Sequence, residues 1–522
     1  MGQTILDKIE ISRKEISAKL DSDNKSNYGQ FLTPISIAMA MANMFDTPHH
    51  RHIRLLDPGA GTGSLTISFL EMLYQRGVTP QSIHVTAYEI DCLLADELRK
   101  NSTLIIDKFK SLGIKLDISV IEEDFITSAV YSLKPHINYQ HINFKPFSHI
   151  IMNPPYLKIS SSSEHRALLN QIGVKVNNLY SAFIALSTAL LSTSGHLVGI
   201  SPRSFCNGPY FKSFRRYILR QVSFKHIHTF ERRDKVFTED KVLQENIIFY
   251  LQKNATKDFV KISSSNGRSL QDTKNRYVPH SQIVDEKDPD LIIRIPINEF
   301  DDYVLNRVSA FSNRLGDFGL NVSTGPIVDF RVKDSLEKDL VNGSVPLIYP
   351  SHFNNQIVDW PKTNGKKPNA LLVNDSTNKW LFPNGYFPLV KRFSSKEERR
   401  RIYPACFDPI ENFRLIGFEN HLNVIHSSQA GISKELSRGL VAYLSSTIID
   451  LYFRQFSGHT QVNASDIRSI PFPTLDILEE MSNFHDGICV DYELVDVYLE
   501  TIFTKRFGIK SPNPLLITKI KS

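Results

Sequence analysis

Apolar residues in the first half of the chain gather in short runs that end in an acid, an asparagine or a proline. Residues 53–56, 85–91, 116–121, 147–152, 195–201 and 246–252 read as strands. Between them, apolar positions three and four apart predict helices at 35–45, 64–74, 180–191 and 211–219. Ile150-Ile151-Met152 has no polar alternation, as a strand buried on both faces requires. Strands alternating with helices over about 220 residues predict a Rossmann-like, doubly wound α/β sheet.

The pattern then changes. Residues 254–290 are polar and read as a transition, with 246–252 as the last strand of the sheet. From 291 to 473 the strands are short and the turns rich in Asn, Pro and Gly, which predicts a second, mixed α+β domain. Helical spacing returns at 435–452 and 492–507, and a looser version occupies residues 1–20. Four segments are expected: a helical start (1–27), the α/β domain (28–290), the mixed domain (291–475) and a helical tail (476–522).

Composition narrows this little. With 41% hydrophobic and 22% charged residues in 522, the chain is that of a water-soluble globular protein. A net charge of +6 permits a polyanionic partner without requiring one. The four cysteines, Cys92, Cys206, Cys406 and Cys489, lie far apart. They predict no metal site and no disulfide, and suit the reducing cytoplasm. No apolar run approaches the ~18 residues of a membrane span, so no membrane partner is expected.

The candidate chemistry stands where predicted strands end, the place open α/β sheets put their ligands. After 53–56 comes Asp57-Pro58-Gly59-Ala60-Gly61-Thr62-Gly63, a glycine turn leading into a helix. Glycines there let backbone approach a ligand. No Gly-Lys-Ser/Thr follows, so a phosphate-cradling loop is disfavoured. The next strand ends in Glu89-Ile90-Asp91, where such folds hold ribose hydroxyls; a solvated helix-capping acid is the plainer reading. The third ends in Glu122-Glu123-Asp124-Phe125, an acid and an aromatic able to meet a purine. The fourth ends in Asn153-Pro154-Pro155-Tyr156. Its prolines stiffen the turn and direct carbonyls outward, and its tyrosine offers a flat face near an amide. That suits a planar substrate bearing an NH2 group, although Pro-Pro also simply closes strands. Upstream, Gly29-Gln30-Phe31-Leu32-Thr33-Pro34 reads as a helix start, with Thr33 and Pro34 as its signal. Interleaved aromatic and basic residues around Trp360, Trp380, 362–367 and 392–401 suit nucleic acid, or an ordinary mixed surface.

Taken together and in order, these motifs resemble the gamma group of DNA amino-methyltransferases, the adenine-N6 enzymes of type II restriction–modification systems. Segments 323–331 and 457–468 are similar to parts of that family's target-recognition domains, and 202–208 to its loop after the fifth strand. The resemblance implies S-adenosylmethionine as cofactor. It implies a cofactor site of Tyr28, Thr33, Asp57, Pro58, Gly59, Gly61, Gly63, Glu89, Ile90, Asp124 and Phe125. It implies a catalytic set of Asn153, Pro154, Pro155 and Tyr156, with Phe237 as a second aromatic clamp. Double-stranded DNA is the implied partner, bound by a monomer, and a cognate restriction endonuclease would share the target. Six-base-cutter methylases are the nearest in character, with CTGCAG the implied sequence. Two alternatives stay open: a modification subunit of a larger restriction or phage-exclusion complex, and a protein glutamine methyltransferase. Cytosine N4 could use the same acceptors, but those enzymes more often carry Ser where this chain has Asn153.

Overall fold

The computed structural model describes residues 3–20, 32–134, 145–230, 245–265, 273–394, 398–457 and 460–509. The chain divides into two compact units, Met1–Ile297 and Asn298–Ser522.

The first unit is built on one sheet of nine strands: β1 His52–Pro58, β2 Ser82–Tyr88, β3 Lys115–Ile121, β4 Phe147–Met152, β5 Leu191–Pro202, β6 Val222–Phe230, β7 Asn246–Lys253, β8 Phe259–Ser265 and β9 Lys274–Pro279. Their order across the sheet is β3-β2-β1-β4-β5-β7-β6-β8-β9. The first five are parallel, and β7 runs antiparallel between β5 and β6. Among the described residues, the helices that cover it include α1 Ile5–Lys19, α2 Ile35–Asn43, α3 Ser64–Gln75, α4 Cys92–Ser111, α5 Phe125–Leu133, α6 Glu164–Gln171, α7 Leu179–Leu190 and α8 Lys212–Leu219. One core joins α1–α4 to the sheet through Ile53, Val85 and Ile151. The other joins α5–α8 through Leu56, Ile150 and Met152. Successive residues of β4 thus point into different cores, which is why that strand shows no alternation.

The structure departs from the sequence pattern in four places. The polar stretch 254–290 contains β8 and β9, so β7 is not the last strand, and β6 also lies where no strand was expected. The reason is a polar ladder inside the sheet. His226 Nε2 and His228 Nδ1 each bond Ser263 Oγ at 2.7 Å, and His228 Nε2 bonds Ser265 Oγ at 3.0 Å. Paired in this way, Ser263 and Ser265 are buried without an apolar period to announce them. The expected helix start at Thr33-Pro34 receives no side-chain cap from Thr33. Glu10 of α1 accepts the Ile35 N–H instead, at 3.1 Å. Arg215, by its sequence context one of a solvated charged set, is buried and donates to the carbonyls of Phe205, Asn207, Gly208 and Asp290. It clamps the loop after β5. The fourth departure lies in the second unit, where the single helical pattern at 435–452 is two helices, Lys434–Ser445 and Thr447–Phe456. Ser446, extended at ψ 148°, breaks them.

That second unit carries two small sheets. One has six strands, including Asn321–Thr324, Phe387–Lys391, Pro404–Phe407 and Leu422–His426. The other has five, including Ser344–Ile348 and Leu415–Phe418. One core, around Phe387 and Phe418, joins residues of both sheets, and a second gathers around Leu347 and Leu371 of the five-stranded one. Helix Tyr492–Phe507 packs inside this unit, where its Glu500 meets buried Arg307 at 2.9 Å. The basic stretch 392–401 is partly internal: Arg401 is fully buried, bonded to Ser394 and Ser457.

Candidate active site

The turn after β1 is held by backbone that only glycine adopts without strain. Gly59, Gly61 and Gly63 have φ of 74°, 55° and 89°. A Cβ on Gly63 would stand 2.5 Å from Leu98 Cδ1 of α4. The N–H groups of Gly59 and Ala60 donate to the Tyr88 carbonyl at 2.9 and 2.8 Å, tying the turn to the end of β2. Asp57 is wholly buried beneath it. Its Oδ2 accepts from Thr66 N and Oγ1, at 3.1 and 2.7 Å, which anchors the first turn of α3. Burial pushes its carboxyl up to about 7, against the Thr66 bonds and with nearby Glu89 adding to the rise.

Glu89, at the end of β2, is buried to 4% exposure. One carboxylate oxygen accepts from Gly61 N at 2.8 Å, the other from Asp91 N at 2.9 Å. Burial raises its pKa, and these backbone donors oppose the rise. Asp91 caps α4 through Leu93 N and Leu94 N. Ile90, between them, is an exposed apolar side chain.

Beyond β3, Asp124 caps α5. Its Oδ1 accepts from Thr127 N and Oγ1 at 2.8 and 2.7 Å, and lies 3.2 Å from His165 Nε2 of α6. Burial alone would raise the Asp124 pKa; the bonds from His165 and Thr127 outweigh it and hold the acid below its ordinary value. His165 is raised in turn, chiefly by its bond to Asp124. Phe125 stacks at a tilt on Phe183 of α7, 4.9 Å between ring centres.

These residues enclose a cavity of ≈ 270 Å³ whose wall includes Thr33, Gly61, Glu89, Asp124, Phe125 and Asn153. Asn153 extends from the carboxyl end of β4, with its amide held at both ends. Nδ2 donates to Thr33 Oγ1 at 3.0 Å, and Oδ1 accepts from the Tyr156 hydroxyl at 3.1 Å. Burial pushes the Tyr156 phenol far up, so it stays a neutral donor. Its ring meets Tyr180 edge-on at 6.2 Å, and Tyr180 is bonded to Ser204 of the loop after β5. Pro154 is buried, and Pro155 lines the cavity.

The expected residues from Asp57 to Tyr156 are therefore gathered at the ends of four adjacent parallel strands, with Pro58 closing β1 and Thr33 reaching Asn153 from the start of α2. Tyr28 and Phe237, and the segments 29–31 and 231–236 beside them, lie outside the described residues. Sequence reading missed His165. Ser163 caps α6 and Glu164 follows it, a legible helix start. Nothing local marks a histidine that will meet an acid from another helix.

Comparison with known proteins identifies the family. The family model described as Eco57I restriction-modification methylase matches residues 71–237. The chain is 44% identical over 475 residues to Type II methyltransferase M.BsuBI of Bacillus subtilis, covering 91% of this chain and 93% of that protein. It is 40% identical over 478 residues to Type II methyltransferase M.PstI of Providencia stuartii, covering 90% and 92%. Among solved structures, the Type IIL restriction-modification enzyme MmeI in complex with DNA shares the fold. Its TM-score is 0.53 at 13% identity, over 99% of this chain and 76% of that one. The chain belongs to the type II methyltransferases of restriction–modification systems, enzymes that methylate DNA with S-adenosylmethionine as donor.

Proposed function

We propose that the chain is a site-specific adenine-N6 methyltransferase that takes its target base out of double-stranded DNA. What carries the reading is the doubly held Asn153 amide at the end of β4, opening on a cavity walled by Glu89 and Asp124.

The cavity fits the cofactor. Thr62 and Ser64 stand in its wall, and their buried hydroxyl oxygens have no hydrogen-bond partner in the protein, orphaned polar atoms beside a polar ligand's site. The glycine turn leaves room that a Cβ on Gly61 would take from Leu32, at 3.0 Å. In this reading Thr33, Asp57, Pro58, Gly59, Gly61, Gly63, Glu89, Ile90, Asp124 and Phe125 hold S-adenosylmethionine, with Glu89 on its ribose and Asp124 toward its adenine. Tyr28 would join them. When bound, the cofactor supplies an electrophilic methyl group.

The N6 amine of adenine is a poor nucleophile because its lone pair is delocalised into the ring. Asn153 Oδ1 accepts from the Tyr156 hydroxyl and can accept more than one donor. Asn153 Oδ1 and the Pro154 carbonyl accept the two amine hydrogens and draw the nitrogen toward tetrahedral geometry. Thr33 accepts from Asn153 Nδ2 and holds the plane of the amide. Positioned acceptors of this kind contribute several kcal/mol at the transition state. A base within a duplex cannot reach them, so it must be flipped. Stacking on Tyr156, with Phe237 as second clamp, offsets a few kcal/mol of unstacking. The second unit reads the target, a six-base palindrome for which CTGCAG is the first sequence to test, and the protein works as a monomer alongside a cognate endonuclease.

Single-molecule sequencing of DNA from a host without adenine methylation, expressing the wild type or Asn153→Ala, tests this. N6-methyladenine at one motif in the wild type only is expected. Methylated cytosine, or no modified base, overturns it.

A further inference from the structure

The second unit contains a corner built to aim one imidazole outward. Glu419 follows strand Leu415–Phe418 and is buried to 1% exposure. Both oxygens of its carboxylate end on the same residue: one accepts the His421 backbone N–H at 2.9 Å, the other is bonded to His421 Nδ1. A buried acid is costly to desolvate. Elsewhere in this unit such acids tie elements together, as Asp450 does by accepting from Arg401 N and Ile402 N. Glu419 instead commits both oxygens to one residue, the backbone N–H and the ring of His421, whose side chain remains 48% exposed. With Nδ1 held, the tautomer and ring plane are set, and Nε2 is the remaining polar atom.

The surroundings suit a nucleic acid. His421 forms the wall of a cavity of ≈ 370 Å³ with Tyr349, Lys367, Lys391 and Phe393. The Phe393 ring, 43% exposed, lies 5.0 Å from the His421 ring. Lys391 sits 5.3 Å above Phe353 and 5.4 Å above Tyr403, its ammonium steadied by two aromatic faces. Lys367 stands 5.1 Å over Tyr349 and bonds Asp329 at 2.7 Å. Neighbouring Phe330 is 69% exposed, with Arg331 beside it.

Two segments marked in the sequence buttress this corner. In 323–331, Gly325 N donates to Leu422 O, and Asn420 N donates to Ile327 O, both at 2.8 Å. A Cβ on Gly325 would fall 2.2 Å from the Glu419 carbonyl oxygen. In 457–468, Val462 N donates to Arg392 O at 2.7 Å and Ser394 N to Thr460 O at 3.0 Å. Neither needs to touch DNA to matter; they hold the chain on either side of Phe393 and His421.

We propose that this corner is a base-reading site for duplex DNA, with His421 the specificity-determining residue, Phe393 its apolar neighbour at the base edge, and Lys391 a phosphate contact. It rests on the reading of the second unit as the target-recognition part. Imidazole nitrogen at a base edge discriminates by donor and acceptor pattern, whereas an ammonium on phosphate adds affinity to every sequence alike.

The test compares the full-length wild type with His421→Ala, His421→Gln and Lys391→Ala, each first matched to the wild type in melting temperature and cofactor affinity. Binding selection and methylation are both read on a library of randomised duplexes. His421→Ala is expected to lose on the order of 10-fold or more at the preferred site and to accept other bases at one position. Lys391→Ala should weaken all sequences together and lower the slope of log K against log salt by about one. A His421→Ala protein with wild-type preference and rate overturns the proposal; if that variant fails to fold, unchanged preference in His421→Gln does so. A wild type that selects a sequence but methylates no base overturns the proposed reaction alone, while the variants still decide this site by binding. A wild type that selects no sequence overturns both.

Discussion

The two units assemble their polar surfaces by different routes. In the first, Asp57, Glu89, Asp124 and Asn153 stand at or just beyond the ends of β1, β2, β3 and β4, four neighbours in one parallel sheet. Topology alone brings them together, because each strand ends on the same edge. In the second, Lys391 and His421 belong with one small sheet, Tyr349 and Glu419 with another. They meet only because short strands from both sheets end near one cavity. A parallel sheet thus converts sequence order into a site. Two small mixed sheets need individual hydrogen bonds, such as those of Glu419, to do the same.

The largest effect that can break this comparison is at Asn153. Replacing it with Ala should lower the methylation rate by ~10²–10³-fold, the scale of one lost oriented hydrogen-bonding group. Cofactor affinity, read by calorimetry, should stay within about three-fold. Survival of the rate would mean that the strand-end amide is not the reacting lip. Next is Glu89→Ala, which removes the acceptor for Gly61 N and Asp91 N. Cofactor affinity should fall on the order of 10–100-fold, as bonds to a charged group imply. An unchanged affinity would detach the cavity from the cofactor.

A third change sharpens the comparison from the other side. Gly439 in helix Lys434–Ser445 touches helix Leu475–Met481 so closely that a Cβ would lie 1.7 Å from the Leu478 carbonyl oxygen. Gly439→Ala should destabilise the second unit by about 1–3 kcal/mol. Scanning calorimetry should show the loss, with cofactor affinity unaltered. If affinity fell as well, the two units would not be separable in this way.

The smallest effect concerns Asp124 and His165. Asp124 is held below its ordinary 3.8, so its share of stability is present above that pH and lost as pH falls through the depressed folded value. His165 is held above 6.5, so its share is complete below 6.5 and lost as pH rises through the raised folded value. The melting-temperature gap between wild type and His165→Gln should therefore be widest between pH 3.8 and 6.5 and close as pH rises through the raised folded value of His165. A gap that widened with alkali would contradict the pairing.

Legibility follows the same division. The run into Asn153, the glycine turn and Glu89 were visible because a strand buried on both faces is apolar throughout and its end is abruptly polar. Strands β6 and β8 were not, since the apolar alternation of Val222 and Phe224, and of Val260 and Ile262, breaks off at His226, His228, Ser263 and Ser265, which satisfy one another across the sheet. His165 and His421 were invisible for a related reason: their partners, Asp124 and Glu419, become partners only in three dimensions. Arg215 and Arg401 misled in the opposite sense, as charges that composition assigns to solvent and the fold turns inward to backbone carbonyls and serine oxygens.

The hydrogen bonds on Asn153 have a consequence in entropy. Thr33 and Tyr156 freeze both rotations of its side chain when the protein folds. Freezing such a side chain costs up to about 1–2 kcal/mol, whenever it occurs. Here the loss falls on folding, where the two cores absorb it, and not on the encounter with a ligand. A planar amine reaching this lip meets a group with no rotamer left to lose, and its binding free energy can go to distortion at nitrogen instead of to ordering the protein.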